Sequence, residues 1–465
     1  MKQAIQLIPG QHVHFIGIGG SGLSPIARVL LLQGYHISGS DLRSNAESDA
    51  LKRDGATIYT GHDAAYVNGA ECIIATSAVA DDHIEILSAQ AQGIPVYRRF
   101  DIMSAIMEGY TGIAIAGTHG KTTTTSMTVH LLTESAQDPT YIVGGVMANT
   151  GKNADVGDGR TFIIEADEYG NMFHGLRPEI EVITSIEFDH PDFFKKPHDL
   201  LESFRHFVGL LPDEGFLIVC ADDPTAQIFA RNRQVVNLPT ATYGIDNSAT
   251  WQATNIRYQG SKIKYDVLYK GASQGTVTLQ VVGKHNILNS LAALIVAHHE
   301  GVSFRDAAQA LSTFRGTSRR FDIREDVDGI VVIDDYAHHP TAIRTTIDAA
   351  RKRYPERELW VIWQPHTYSR TQQLWDDYLR AFGDAHHVIV TDIYAAREIH
   401  NPDIRAENFI GELDHHSKLH APSFSNAVDI LIEEVHAPAV VLILSAGDAP
   451  QIGIDYLRQL KVKQS

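Results

Sequence analysis

The residues with the clearest chemical potential run from Ala116 to Met127, AGTHGKTTTTSM. A lysine and a threonine behind a glycine at a helix start suit phosphate. Backbone N–H groups surround the oxygens, Lys121 neutralises β- and γ-phosphate charge, and the Thr122 hydroxyl reaches Mg²⁺. The spacing is short of the usual G-x-x-x-x-G-K-[ST]: five residues before Gly120 stands Ile115, and the nearest glycine is Gly117. The threonine run is a poor helix former, which makes sense if amides and hydroxyls face an anion. Two apolar runs follow with acids at their ends: Glu165, Asp167 and Glu168 in TFIIEADE, and Glu187, Asp189 and His190 in EVITSIEFDH. Strand C-termini of a parallel sheet share one edge, where ligands bind. Acids arriving there beside a Gly-Lys-Thr loop read as Mg²⁺ ligands, directly or through water.

Two further segments carry chemistry of their own. In HVHFIGIGGSGLSPIARVLLLQGYHISGSD, His12 to Ile16 reads as a strand, and Gly17, Gly19 and Gly22 form G-x-G-x-x-G. Leu23 to Gln33 reads as a helix, Tyr35 to Ser38 as a second strand, and Asp41 stands where a dinucleotide fingerprint expects an acid. Taken alone, this segment points to an NAD-dependent oxidoreductase, a reading that leaves Lys121 and the acid clusters unexplained. The other segment begins near Phe321. GIVVIDDYAHHP ends in Asp334, Asp335, Tyr336 and His338, ELWVIWQPHTYSRT in Gln364, His366 and Arg370, and AVVLILSAGDAP in Gly447 and Asp448. His338 and His366 stand out because each follows a strand. The pairs His298-His299, His386-His387 and His415-His416 read as surface or packed core histidines.

Positioning these groups requires strands that alternate with helices, hence an α/β chain built on parallel sheets. At 465 residues, two or three domains are expected. With 44% apolar and 20% charged residues the composition is that of a soluble globular protein. The N-terminus has no sustained apolar stretch of a signal peptide, and no run approaches the ~20 apolar residues of a membrane span, so a cytoplasmic protein without membrane insertion is expected. Cys72 and Cys220 read as buried thiols. A net charge of −17 excludes a protein that coats nucleic acid but not one that holds small anions through local groups.

Taken in order, the glycine fingerprint, the shortened loop, EADE, FDH and DDYAHHP resemble the Mur ligases, ATP-dependent amide-forming enzymes of peptidoglycan assembly. The resemblance spans essentially the whole chain and extends to GKHNILNSLAA, QPHTYSRT and DIYAAREI. In that family G-T-x-G-K-T is the normal loop, and the first glycine-rich domain holds a UDP-sugar rather than NAD. The resemblance implies three domains: a Rossmann-like UDP-sugar domain at 1–109, a central P-loop ATPase-like domain at 110–320, and a Rossmann-like domain at 321–465 that closes on ATP and amino acid.

The resemblance also implies site residues. Gly117, Thr118, His119, Gly120, Lys121, Thr122 and Thr123 would hold ATP, with His285, Asn286 and Asn289 near the adenine. Arg320 would reach the phosphates and Asp335 would complete that site. Thr122, Glu165 and His190 would hold Mg²⁺. Gly17, Gly19, Gly20, Ser21, Gly22 and Asp41 would hold the UDP-sugar, and His366 and Arg370 the amino acid. Lys121, His190, Arg320 and His338 are the implied catalytic groups. The implied reaction joins L-alanine to the lactyl carboxylate of UDP-N-acetylmuramate through an acyl phosphate, in a monomer or weak homodimer. EADEYGNMF, with Tyr169, and FDHPDFF, with Phe193, depart from the alanine-adding pattern. The Tyr169 form leans towards relatives that recycle a murein tripeptide, whereas QPHTYSR favours L-alanine. ESFRHF carries Arg205 and no lysine, so no carbamylated lysine is expected. A catalytically silent nucleotide-binding protein is the remaining alternative.

Overall fold

The computed structural model describes residues 5, 7–260 and 262–464. Its contacts divide into two compact units. One comprises Met1–Ile186, Leu201–Gln252 and Leu291–Ala310; the other comprises Glu187–Leu200, Ala253–Ser290 and Leu311–Ser465.

The first unit holds a five-stranded sheet in the order Thr57–Thr60, His36–Asp41, His12–Ile16, Cys72–Ala75, Val96–Arg98. Every neighbouring pair is parallel, and the order reverses on either side of His12–Ile16, the place where open α/β sheets bind ligands. The helix Ser24–Leu32 follows the glycine loop with Pro25 in its first turn, where the missing N–H costs nothing. The second strand runs to Asp41, past the expected end at Ser38, because its pairing with Thr57–Thr60 continues through Asp41↔Thr60.

The same unit carries a second parallel run, Thr240–Gly244, Phe216–Cys220, Ile180–Ile183, Thr111–Ala116, Thr161–Glu165 and Thr140–Ile142, with Ala154–Asp155 antiparallel at its end. These strands are buried along nearly their whole length, as β-branched strands covered on both faces must be. Phe173 stacks on Phe207 at 4.6 Å and meets Phe204 edge-on at 5.3 Å, anchoring the segment after EADE.

In the second unit a six-stranded sheet runs Asp322–Val327, Ile330–Asp335, Ala439–Leu444, Glu358–Trp363, His387–Thr391, Lys418–Ala421. Its first pair is antiparallel and the rest are parallel. Two apolar clusters cover its faces. The larger centres on Trp363, fully buried among Tyr378, Phe382 and Phe409 with ring centroids 4.6, 5.3 and 5.0 Å away. The paired histidines pack as expected: His299 stacks on Phe216, His387 on Trp360, and His415 on His416. Both cysteines are buried and free.

Trp363→Ala should lower unfolding free energy by about 3–5 kcal/mol, the usual cost of emptying an aromatic core site. A drop in the urea midpoint with an unchanged denaturant slope checks it.

Candidate active site

The strand Thr111–Ala116 feeds the short loop into the helix Lys121–Glu134. Gly117 adopts φ +133°, and a Cβ there would lie 2.1 Å from Thr184 Oγ1. Gly120, at φ +82°, caps the helix. The residues after strand Ile180–Ile183 staple the loop: Ser185 O accepts the Thr118 N–H at 2.8 Å and Ser185 Oγ that of His119 at 3.2 Å. The Thr184 hydroxyl donates to the carbonyls of Ala116 and His119. The loop is therefore preformed, and only glycine fits its tightest point.

Lys121 Nζ donates to Gly117 O at 2.6 Å and to Glu168 Oε1 at 2.9 Å. Burial alone would lower its pKa, but Glu168, then Asp167 and Glu165, raise it above the ordinary lysine value. The Thr122 hydroxyl donates to Glu165 Oε1 at 2.9 Å, and Glu165 Oε2 accepts the Gly144 N–H at 2.7 Å. A hydroxyl and a carboxylate side by side at a helix N-terminus, with an ammonium one residue away, is a donor set that fits Mg²⁺ and phosphate. Thr125, Ser126 and Thr128 instead return their hydroxyls to the carbonyls of Lys121, Thr122 and Thr124, each at 2.8 Å. Of the four threonines at the helix start, Thr125 thus turns its hydroxyl to the helix itself, as do Ser126 and Thr128 beyond the run.

In the five-stranded sheet of the same unit, Gly17 adopts φ +80° and abuts Thr76, so that a Cβ would meet Thr76 Cγ2 at 2.7 Å. Asp41 accepts the Gly19 N–H at 3.0 Å, and Asn45 Nδ2 donates to Gly19 O at 3.0 Å. The acid at the fingerprint position thus latches the glycine loop. Gly20, Ser21 and Gly22 complete the turn into the helix, with Gly20 N–H on Gly17 O at 3.1 Å.

In the second unit Asp189 is a hub. Its Oδ1 accepts from Arg370 Nε at 2.7 Å, and its Oδ2 lies 3.8 Å from His338 Nε2 and from His190 Nε2. Burial would raise this carboxyl, but Arg370, His190 and His338 hold it well below the usual range. The second acid cluster was expected among Mg²⁺ ligands. The strand stops at Ile183, and Asp189 of that cluster neutralises a buried guanidinium.

Arg370 also donates from Nη1 to His366 Nδ1 at 2.8 Å. Because arginine can only donate, His366 carries its proton on Nε2. His338 Nδ1 sits 2.9 Å from Tyr336 O, which can only accept, so neutral His338 presents a bare Nε2. Burial, then Arg370, pushes His338 down to about 4; burial, then His338 and Arg370, pushes His366 down to about 3. Two neutral imidazoles of opposite tautomer result, one a donor and one an acceptor.

The remaining residues form smaller groups. Asn286 Nδ2 donates to Val282 O at 2.6 Å and Asn289 Nδ2 to Asn286 Oδ1 at 3.1 Å, while the His285 ring lies over Gly283, 2.3 Å from where a Cβ would stand. Asp335 accepts the N–H groups of Phe321 and Ala337 at 2.6 and 2.7 Å, and burial raises its pKa. Arg319 and Arg320 both lie over the Tyr336 ring, each 4.9 Å from its centroid. Four bulky residues here take left-handed backbone: His190, Arg319, Phe321 and Thr367, at φ +57°, +60°, +50° and +65°. Each such conformation costs about 1–3 kcal/mol, and such strain collects at functional positions. Sequence reasoning did not anticipate the Thr184–Ser185 staple, the Asp189 hub, or Arg319, whose Nη2 donates to Ser445 O at 2.6 Å. Only the polar Thr-Ser pair interrupting an apolar strand hinted at the first.

Three family models match the chain: "Mur ligase family, catalytic domain" over residues 12–111, "Mur ligase middle domain" over 115–297, and "Mur ligase, glutamate ligase domain" over 319–447. The chain is 41% identical to a UDP-N-acetylmuramate–L-alanine ligase of Roseiflexus sp. (strain RS-1), covering 96% of this chain and 99% of that one. It is 39% identical to the enzyme of the same name from Pelotomaculum thermopropionicum, covering 98% of each. Among solved structures it is similar to the UDP-N-acetylmuramate-alanine ligase of Thermotoga maritima, with a TM-score of 0.81 at 25% identity over 97% of this chain and 99% of that one. It is also similar to a murein peptide ligase of Psychrobacter arcticus, with a TM-score of 0.72 at 27% identity and the same coverage.

The two histidines set a pH dependence. Their folded pKa values lie below the ordinary 6.5, so between about pH 4 and about pH 6.5 the unfolded chain takes up protons that the folded chain refuses. Stability should therefore rise with pH across that window and be lost as pH falls through it. Urea midpoints at pH 5 and pH 7 check this, and His366→Asn should shrink the difference between them.

Proposed function

The chain belongs to the Mur ligase family, and on that premise we propose that it joins L-alanine to the lactyl carboxylate of UDP-N-acetylmuramate, with ATP activating the acid as an acyl phosphate. It is a ligase of peptidoglycan synthesis. The observation that carries the chemistry is the Lys121–Glu168 and Thr122–Glu165 arrangement around the short glycine loop. Two full-length relatives named for L-alanine ligation support the acceptor.

A carboxylate resists attack by an amine because it is a poor electrophile with a poor leaving group, so the acid must first be phosphorylated. In this reading the loop from Gly117 through Thr118, His119 and Gly120, with Thr123, surrounds the ATP phosphates, and Lys121 leaves Glu168 to neutralise the transferring phosphoryl. Thr122 and Glu165 would hold Mg²⁺, which when bound supplies charge neutralisation on phosphate oxygens. His285, Asn286 and Asn289 line the adenine, and Arg320 and Asp335 complete the nucleotide site. Gly17, Gly19, Gly20, Ser21, Gly22 and Asp41 hold the UDP-sugar.

The acceptor must arrive as a neutral amine. His366 Nε2–H and the Arg370 guanidinium suit its carboxylate, while the bare Nε2 of His338 suits a hydrogen bond from the incoming amine. Positioning and charge neutralisation do most of the work. The three domains are drawn at 1–109, 110–320 and 321–465, a division supported by where the three family models match. No helix among the described residues is long and apolar enough to cross a membrane, and a cytoplasmic enzyme, monomeric or weakly dimeric, is the form proposed.

The test is phosphate release with ATP, Mg²⁺ and UDP-N-acetylmuramate, comparing L-alanine with the murein tripeptide L-Ala-γ-D-Glu-meso-diaminopimelate. Turnover with L-alanine alone is expected; turnover with the tripeptide alone would transfer the chain to the recycling branch, which the murein peptide ligase likeness and Tyr169 favour. Lys121→Ala should cut phosphate release by at least ~10²–10³-fold while UDP-sugar affinity stays as in the wild type. Equal loss of both would contradict the separation of the two sites.

A further inference from the structure

The strand Val96–Arg98 and the helix Arg99–Ile106 meet at two adjacent arginines with different fates. Arg98 is fully engaged: its Nη1 donates to Thr76 O at 2.6 Å and Val79 O at 3.0 Å, and its Nη2 pairs with Asp81. Arg99 is not. Its one ion pair, Nη1 to Asp167 Oδ2, is stretched to 4.0 Å, and its Nε is buried with no hydrogen-bond partner among the described residues. A buried guanidinium N–H left unmade is costly.

The same guanidinium lies against the glycine loop. A Cβ built on Gly22 would stand 3.2 Å from Arg99 Nη1 and 3.8 Å from its Cδ, so the guanidinium lies close against the turn. The loop's amides at Gly17 and Ile18 are spent on Ser40 O, that of Gly19 on Asp41, and that of Gly20 on Gly17 O. Among the described residues the amides of Ser21 and Gly22, next to Arg99, have no hydrogen-bond acceptor. Unsatisfied donors and a cation converge on one face of the turn.

We propose that Arg99 binds the diphosphate of the UDP-sugar, clamping it against the Ser21–Gly22 turn, with Asp167 as the weak anionic partner it leaves on binding. Planar guanidinium and phosphate oxygens match in a fork geometry that an ammonium cannot reproduce. The assignment rests on the UDP-sugar reading of this sheet. It links the sugar loop to the EADE segment, because one guanidinium serves both.

Calorimetric titration of the full-length chain with UDP and with uridine tests it. Arg99→Gln should weaken UDP binding roughly 10- to 100-fold, the loss of one or two charge-assisted hydrogen bonds, with uridine affinity unchanged; Arg99→Lys should recover part of the loss. Asp167→Asn should bind UDP at least as tightly as the wild type, since a competing anion is gone. UDP affinity within twofold of wild type in Arg99→Gln would overturn the assignment, as would equal losses for UDP and uridine, which mark a structural role. A loss confined to UDP-N-acetylmuramate would move the contact to the lactyl carboxylate and overturn it as well. A wild-type chain that binds neither UDP nor uridine would overturn the UDP-sugar reading and this assignment with it.

Discussion

Lys121 must keep its ammonium charged while largely buried against the short glycine loop. Glu168 solves this by standing 2.8 Å away on a fully buried carboxylate. A lone buried lysine would shed its proton; a lysine paired with a buried acid keeps it and stays where the helix starts. The rest of the central sheet follows from that requirement. The strand Thr161–Glu165 must end where its next residues reach the helix N-terminus, Thr184 must press on Gly117, and Gly117 must lack a side chain. The carboxylate that holds the lysine also makes the cost of giving it to phosphate modest, since one charge-assisted pair is exchanged for another.

The second unit uses the same logic with the signs arranged differently. There the buried cation is Arg370, the acid is Asp189, and the surrounding imidazoles are kept neutral. Because arginine cannot accept and a carbonyl cannot donate, hydrogen bonding alone sorts His366 and His338 into a donor and an acceptor. Two identical side chains thereby acquire opposite roles. His190, a member of this network, and Thr367, next to His366 in sequence, both take positive φ, +57° and +65°.

Much of the architecture could be read from the residues. Alternating apolar strands and helices, the glycine fingerprint and the acids after strands fixed the sheet types and the loop, because each is a local pattern with a period or a spacing. What stayed hidden was pairing between distant segments. Nothing in FDHPDFF announces that Asp189 meets Arg370 rather than a metal, and nothing in VYRRF separates the engaged Arg98 from the under-satisfied Arg99. Boundaries slipped where a strand was prolonged by its neighbour, as at Asp41.

The Asp189–Arg370 contact joins residues 181 positions apart, and the second unit draws in residues 187–200 and 253–290 before its main segment begins. For a chain emerging from the ribosome this is a matter of timing. When Asp189 leaves the exit tunnel its partner does not yet exist, so the pair cannot form until residue 370 has followed. A product terminated before residue 370 keeps the glycine loops but leaves that carboxylate without its cation. Completeness of synthesis is thus written into the electrostatics of the second unit, and a truncated chain is marked by an acid that never finds its arginine.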